Sequence, residues 1–168
     1  MTTTPRLAFD PIERAGELWG ERIGDDAAMR LATSIMRVQQ LVLAALDAAV
    51  KPFDITFARY EVLVLLSFSQ SGSLPLSKVG ERLMVHPTSV TNLVDRLEAQ
   101  GLVTRTVDDA DRRRVLASLT PKGKRVLKRA TAALTDIDFA VGNLDPADQE
   151  KAYDLLRGLR SADFEGQD

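Results

Sequence analysis

The sequence has no cysteine and a single histidine, His86. Disulfides, thiolate catalysis, thiol redox sensing and cysteine-ligated zinc are therefore excluded, and a histidine-rich metal site has no ligands to draw on. No stretch approaches the roughly 18 apolar residues a membrane span requires. The opening Met1-Thr2-Thr3-Thr4-Pro5-Arg6 carries no apolar signal region, so a cytoplasmic location is expected. A glycine-rich phosphate loop is missing, no pair of carboxylates has convincing catalytic spacing, and the lone histidine falls at a turn. Neither an enzyme nor a cofactor is expected. What is present is ordinary globular material: 168 residues, 45% hydrophobic and 27% charged, enough for a sizeable core.

The net charge of -2 offers no global attraction to nucleic acid, but the charge is segregated along the chain. Arg112, Arg113, Arg114, Lys122, Lys124, Arg125, Lys128 and Arg129 form a run uninterrupted by any Asp or Glu. From Asp136 to the end, nine acidic residues face only Lys151, Arg157 and Arg160. Alone, the basic run fits a solvated helix face as well as a polyanion site.

Apolar periodicity makes the chain mostly helical. A first short helix spans Pro11 to Arg22, carries Leu18 and Trp19, and ends at Gly24. Asp25 or Asp26 caps a long helix to about Val50, with Met29, Ala32, Ile35, Met36, Leu43 and Leu46 at helical spacing. Lys51-Pro52 stops it. Thr56 caps a third helix with Tyr60, Val62, Leu63, Leu65 and Leu66, ended by Ser69-Gln70-Ser71-Gly72-Ser73.

The segment from Leu74 is the most informative. Ser77 is expected to cap a short helix from Lys78 to Met84 that buries Val79, Leu83 and Met84. After a tight turn at Val85-His86, Pro87 opens a helix over Thr88 to Gln100, capped by Gly101. Its inner face is Val90, Leu93, Val94 and Leu97, and near its start it displays Thr88, Ser89, Thr91 and Asn92. Two short helices joined by a tight turn make a helix-turn-helix. Leu102 to Val107 and Arg114 to Thr120 then alternate as two strands around the polar tip Asp108-Asp109-Ala110-Asp111-Arg112-Arg113. An arginine-bearing hairpin beside a helix-turn-helix reads as a wing, able to place Arg in the narrow minor groove while the preceding helix occupies the major groove.

Thr88 through Val103, the wing segment Asp108 to Arg113 and the following Leu119-Thr120-Pro121-Lys122-Gly123 together resemble the MarR family of winged-helix regulators. The resemblance covers about Leu74 to Gly123, and the flanking helices match the family's dimerisation region in number and placement. It implies a mainly α fold with a small β-hairpin wing: N-terminal dimerisation helices over 1–55, a winged helix-turn-helix domain over 56–120, and C-terminal dimerisation helices over 121–168. It implies a homodimeric repressor on a palindromic double-stranded operator, released by a small anionic or aromatic effector. Ser77, Thr88, Ser89, Thr91 and Asn92 would face DNA, Arg112 would enter the minor groove, Asp111 would orient arginines and Arg113 would support the wing or touch phosphate. Ala110 stands where most relatives carry a basic residue, which removes one backbone contact. Arg96 is counted with the DNA residues, though a salt bridge holding the wing suits it better than base reading.

The extra N-terminal helix with Trp19 resembles the family's urate-responsive subgroup. Glu61 and Arg105 stand where that subgroup lines its pocket, whereas Leu93 stands where it has a second ligand-binding arginine, which argues against urate itself. Arg30, Arg37, Arg59, His86 and Arg105 are further candidates for an anionic or aromatic effector. The alternative from another class is a helical protein-interaction module whose basic hairpin engages an acidic partner.

Overall fold

The computed structural model describes residues 7–161. The opening Met1 to Arg6 and the tail acids Asp163, Glu165 and Asp168 lie outside them. Ten regular elements follow in order: α1 (Pro11–Arg22), α2 (Ala27–Val50), α3 (Phe57–Ser67), β1 (Ser73–Pro75), α4 (Leu76–Leu83), α5 (Pro87–Ala99), β2 (Val103–Val107), β3 (Val115–Leu119), α6 (Pro121–Asp136) and α7 (Pro146–Arg160). Short 3-10 turns stand at Lys51–Phe53 and Asp138–Ala140. The fold is mainly helical with one small antiparallel sheet.

Local chemistry explains most helix starts. Asp10 accepts from the Ile12 N–H at 2.8 Å, Asp25 from Ala27 at 3.0 Å, Thr120 from Gly123 at 2.9 Å and Asp145 from Asp148 at 2.9 Å. Each satisfies a backbone donor that the helix leaves orphaned. Proline sits in the first turn of α1, α5, α6 and α7, where its missing N–H costs nothing.

The chain divides into two compact units, 1–44 and 45–168. In the first, α1 meets α2 at Gly16, where a Cβ would lie 2.4 Å from Arg30 Cδ. Leu31, Val38 and Leu41 of α2 are exposed on one side of the helix, and Met36 is exposed on the other. In the second unit Val62, Leu63, Leu66, Val79, Val90, Val94, Leu97, Val103 and Leu134 form the core. The sheet order is β1-β3-β2, with Leu74 and Arg105 on either side of Ala117.

Four local expectations are corrected. Residues Ser73–Pro75, read as a breaker and loop, pair with β3 as a third strand, a contact between residues more than forty positions apart. Ser77 does not cap α4, which begins at Leu76 with Pro75 at the cap position and no side-chain cap bond. Met84, expected in the core, is 70% exposed because it ends α4 in the left-handed region (φ 53°), which turns its side chain outward. The helical pattern that opens at Pro121 continues in the sequence to about Val141, but α6 stops at Asp136, because Asp138, Phe139 and Ala140 all take positive φ. The Gln149 side-chain amide donates to Asp138 Oδ2 and the Leu144 carbonyl at 3.0 and 3.1 Å, bracing that turn.

Candidate nucleic-acid interface

The helix-turn-helix is built by close packing of α4 on α5. Gly80 makes it possible: a Cβ there would meet Val90 Cγ2 at 3.1 Å and the Val85 carbonyl at 3.3 Å. Val90, Val94 and Leu97 are buried on the inner side of α5, and Leu93 is half-buried. The opposite side is free: Thr88, Ser89, Thr91, Asn92 and Arg96 are exposed. Thr91 Oγ1 donates to the Pro87 carbonyl at 3.2 Å. His86 occupies the cap position, and its Nδ1 accepts the Thr88 N–H at 3.3 Å. The histidine expected among effector ligands therefore organises the start of α5. Ser77 is exposed in the first turn of α4, beside Arg113 and Arg114.

β2 and β3 pair from Val103 opposite Leu119 to Val107 opposite Val115, and the loop between them is held by its own side chains. The Asp108 N–H donates to the Arg114 carbonyl at 2.9 Å, and Arg114 N–H to the Asp111 carbonyl at 2.8 Å. Asp108 and Asp111 each accept from the N–H two residues on, at 3.0 and 3.1 Å. Asp111 and Asp108 lie 3.8 and 3.9 Å from Arg113 and Arg114. Arg112 is exposed and, among the described residues, has no ion-pair partner. The loop thus spends Asp108 and Asp111 on its own geometry and leaves Arg112 projecting.

The link between wing and helix was not legible in the sequence. Arg105, on β2, donates through Nε and Nη2 to Glu98 Oε2 and through Nη1 to Asp95 Oδ1, with Nε 2.8 Å and Nη1 2.6 Å away. Its backbone N–H donates to Glu98 Oε1 at 3.1 Å. These hydrogen bonds hold the Glu98 carboxyl below the usual glutamate range and push the Arg105 guanidinium up. The salt bridge that sequence reasoning gave to Arg96 is made by Arg105 instead. The sequence carries half of the signal: Asp95 and Glu98 share one face of α5 at i, i+3, but which cation meets them depends on how β2 packs on α5.

A search against family descriptions matches residues 55–115 to the MarR family. Among solved structures, Sco5413, a MarR family transcriptional regulator from Streptomyces coelicolor, is 51% identical, with TM-score 0.77 over 83% of this chain and 98% of that one. The chain belongs to the MarR family. A MarR variant from E. coli complexed with operator DNA is similar to this MarR-family chain at 25% identity and TM-score 0.70, over 84% of this chain and 97% of that one. CouR from Rhodococcus jostii RHA1 bound to p-coumaroyl-CoA is similar at 29% identity and TM-score 0.69, over 85% and 96%. Curated relatives include the regulator YhbI of Bacillus subtilis, 39% identical over 51% of this chain and 54% of its own length. SarZ of Staphylococcus aureus is 30% identical over 66% of this chain and 71% of its own. The MarR-family chain thus spans about half of the one relative and under three quarters of the other.

The effector candidates of this MarR-family chain are dispersed. Trp19, Arg30 and Arg37 lie in the first unit. Arg30 pairs with Asp26 at 3.2 Å, and Arg37 donates to Gln40 at 3.2 Å beside a groove of about 770 Å³ floored by Ile12, Met36 and Leu41. Arg59, Glu61, His86 and Arg105 lie in the second unit. Glu61 is exposed on α3, yet the protein around it displaces enough water to raise its carboxyl above the ordinary range. Arg105 is committed to the wing and His86 to the α5 cap. The basic run also divides: Lys122 Nζ donates to the Gln100 carbonyl at 2.7 Å, and Arg129 lies 5.2 Å over the Phe53 ring. Among the described residues no cluster of acids and histidine is placed to hold a metal, and no helix is long and apolar enough to cross a membrane.

Proposed function

We propose that this chain is a cytoplasmic DNA-binding repressor that grips a palindromic operator as a homodimer and is released by a small anionic or aromatic effector. One observation carries the DNA-binding part. Thr88, Ser89, Thr91 and Asn92 stand exposed on the outer face of a helix whose inner face buries Val90, Val94 and Leu97, beside a hairpin that projects Arg112, unpaired among the described residues. Hydroxyl and amide side chains at the start of such a helix suit base edges and phosphates in the major groove, and a free arginine on a rigid tip suits the minor groove. The E. coli MarR variant held on operator DNA supports the same use of the fold.

The exposed apolar side of α2 supports a homodimer, since a solvated row of Leu31, Val38 and Leu41 is the sort of surface a second copy covers. Two-fold pairing sets the reading helices about 34–36 Å apart, which demands inverted half-sites. CouR bound to p-coumaroyl-CoA supports an effector both aromatic and anionic, and Arg37 beside the apolar groove of the first unit is a fitting partner for it.

The test is duplex binding by anisotropy across a salt series, with wild type and Arg112→Ala. Wild-type affinity should fall steeply with salt. Arg112→Ala should bind about tenfold more weakly, near 1.4 kcal/mol, with stability within about 0.5 kcal/mol of wild type. Duplex binding that is absent or indifferent to salt would favour the protein-interaction module instead.

A further inference from the structure

A groove lies between α3 and α5 in the second unit. It encloses about 1030 Å³, and its walls include Arg59 from the first turn of α3 and Ser89, Asn92 and Arg96 from α5. Residues 89, 92 and 96 follow i, i+3, i+7 spacing, so they form one stripe along the helix. The stripe that displays the reading residues near the start of α5 therefore continues inward to Arg96, and the groove runs alongside it.

The charge in this groove is unbalanced. Arg105, Arg113 and Arg114 all have carboxylate partners, whereas Arg59 and Arg96 have none among the described residues. The one acid lining the groove, Asp54, is already engaged: its carbonyl and its Oδ2 accept from Gln100 Nε2 at 2.6 and 2.8 Å. Arg59 is prearranged rather than free to wave. Its Nε donates to Thr56 Oγ1 at 3.4 Å and its Nη1 to the Asp54 carbonyl at 3.2 Å, and its remaining N–H groups are unspent. Two guanidiniums from different helices, one of them half-buried and held by the backbone, flank a trough that opens beside the reading stripe. Guanidinium is the side chain best matched to a tetrahedral oxyanion.

We propose that the α3–α5 groove seats a backbone phosphate of the bound duplex, with Arg59 and Arg96 as its two cations. This rests on the DNA-binding reading above. It gives Arg59 a place on DNA rather than on an effector, and gives Arg96 a phosphate rather than a wing salt bridge. A phosphate fixed here positions α5 along the groove without reading sequence, leaving discrimination to Ser89 and Asn92.

The experiment measures Kd for a fluorescein-labelled random-sequence duplex between about 50 and 200 mM KCl, using the full chain. Arg59→Gln and Arg96→Gln should each reduce the slope of log K against log salt by about one. Each should weaken binding several-fold at the low-salt end, by equal factors on unrelated duplexes. Arg59→Lys keeps the charge but loses the fork that holds the loop, so it should retain the slope. That contrast separates a charge effect from damage to the α3 start, with thermal unfolding of all variants as the check on folding. An unchanged slope in both Gln variants overturns the phosphate seat, as does a loss confined to one duplex sequence. Calorimetry with sodium benzoate tests the other source of an oxyanion: variants with the full slope that lose benzoate binding seen in wild type would give the groove to a free carboxylate and overturn the proposal. A wild type with no salt-dependent duplex binding fails the DNA-binding reading itself, whereas a steep wild type with unaltered variants fails only the phosphate seat.

Discussion

Arg105 shows how much of this interface depends on one side chain. Its guanidinium and backbone N–H bind both Glu98 carboxylate oxygens, and a fourth bond reaches Asp95, so the first wing strand and the last turns of α5 are tied together. A charge-assisted fork of this kind fixes direction as well as distance. Because the hydrogen bonds hold Glu98 below its usual range, its contribution to stability is present above the ordinary glutamate range and is lost as pH falls through the lowered value. Glu98→Gln should therefore melt below wild type at neutral pH, and the gap should close on acidification past that range. A gap independent of pH would contradict the charge-based tether. Glu61 has the opposite sign: desolvation raises its carboxyl, so its cost is felt at neutral pH and relieved by protonation.

The residues that sequence reasoning located correctly act locally. Asp25, Thr56 and Gly101 show their roles because a cap depends on the next three or four residues. The wing salt bridge was given to Arg96 rather than Arg105 because a salt bridge between a strand and a helix depends on how the two pack, which spacing alone does not specify. His86 could be located at the turn but not recognised as a cap, since ring nitrogens are unusual in that role.

At the scale of elements, glycine sets how closely pieces approach. Gly123, in the first turn of α6, lies against the Leu102 carbonyl, and a Cβ there would be 2.0 Å from that oxygen. Backbone on both sides leaves nothing to swing away. Gly123→Ala should cost about 1–3 kcal/mol or more, seen as a Tm lower by roughly 2–4 °C per kcal/mol. An unchanged Tm would show that α6 does not pack against the start of β2 as described. The boundaries of α3, α5 and the wing strands were legible because apolar period and breakers agree there. β1 was not, since three residues, Ser73–Pro75, become a strand only by pairing with Ser118, Ala117 and Leu116. The end of α6 was not either: Ile137 to Val141 continue a helical pattern, while three successive left-handed residues break it.

At the scale of the whole molecule, the helix-turn-helix and wing occupy one contiguous stretch, so composition, spacing and turn chemistry reveal them together. The proposed dimer is different in kind. It is argued from the exposure of Leu31, Val38 and Leu41 on one side of α2, and a second chain to cover them is represented in the sequence only as an apolar stripe. Two-fold symmetry is nevertheless what turns a pair of reading helices into a requirement on DNA. Selection of bound fragments from the genome that encodes this chain, followed by weighing the complexes, tests that requirement directly. Enrichment of inverted repeats with half-site centres about 10–10.5 base pairs apart, or a multiple of that, carrying two chains per duplex, is the predicted result. Enriched sites without two-fold symmetry, or one chain per duplex, would contradict it.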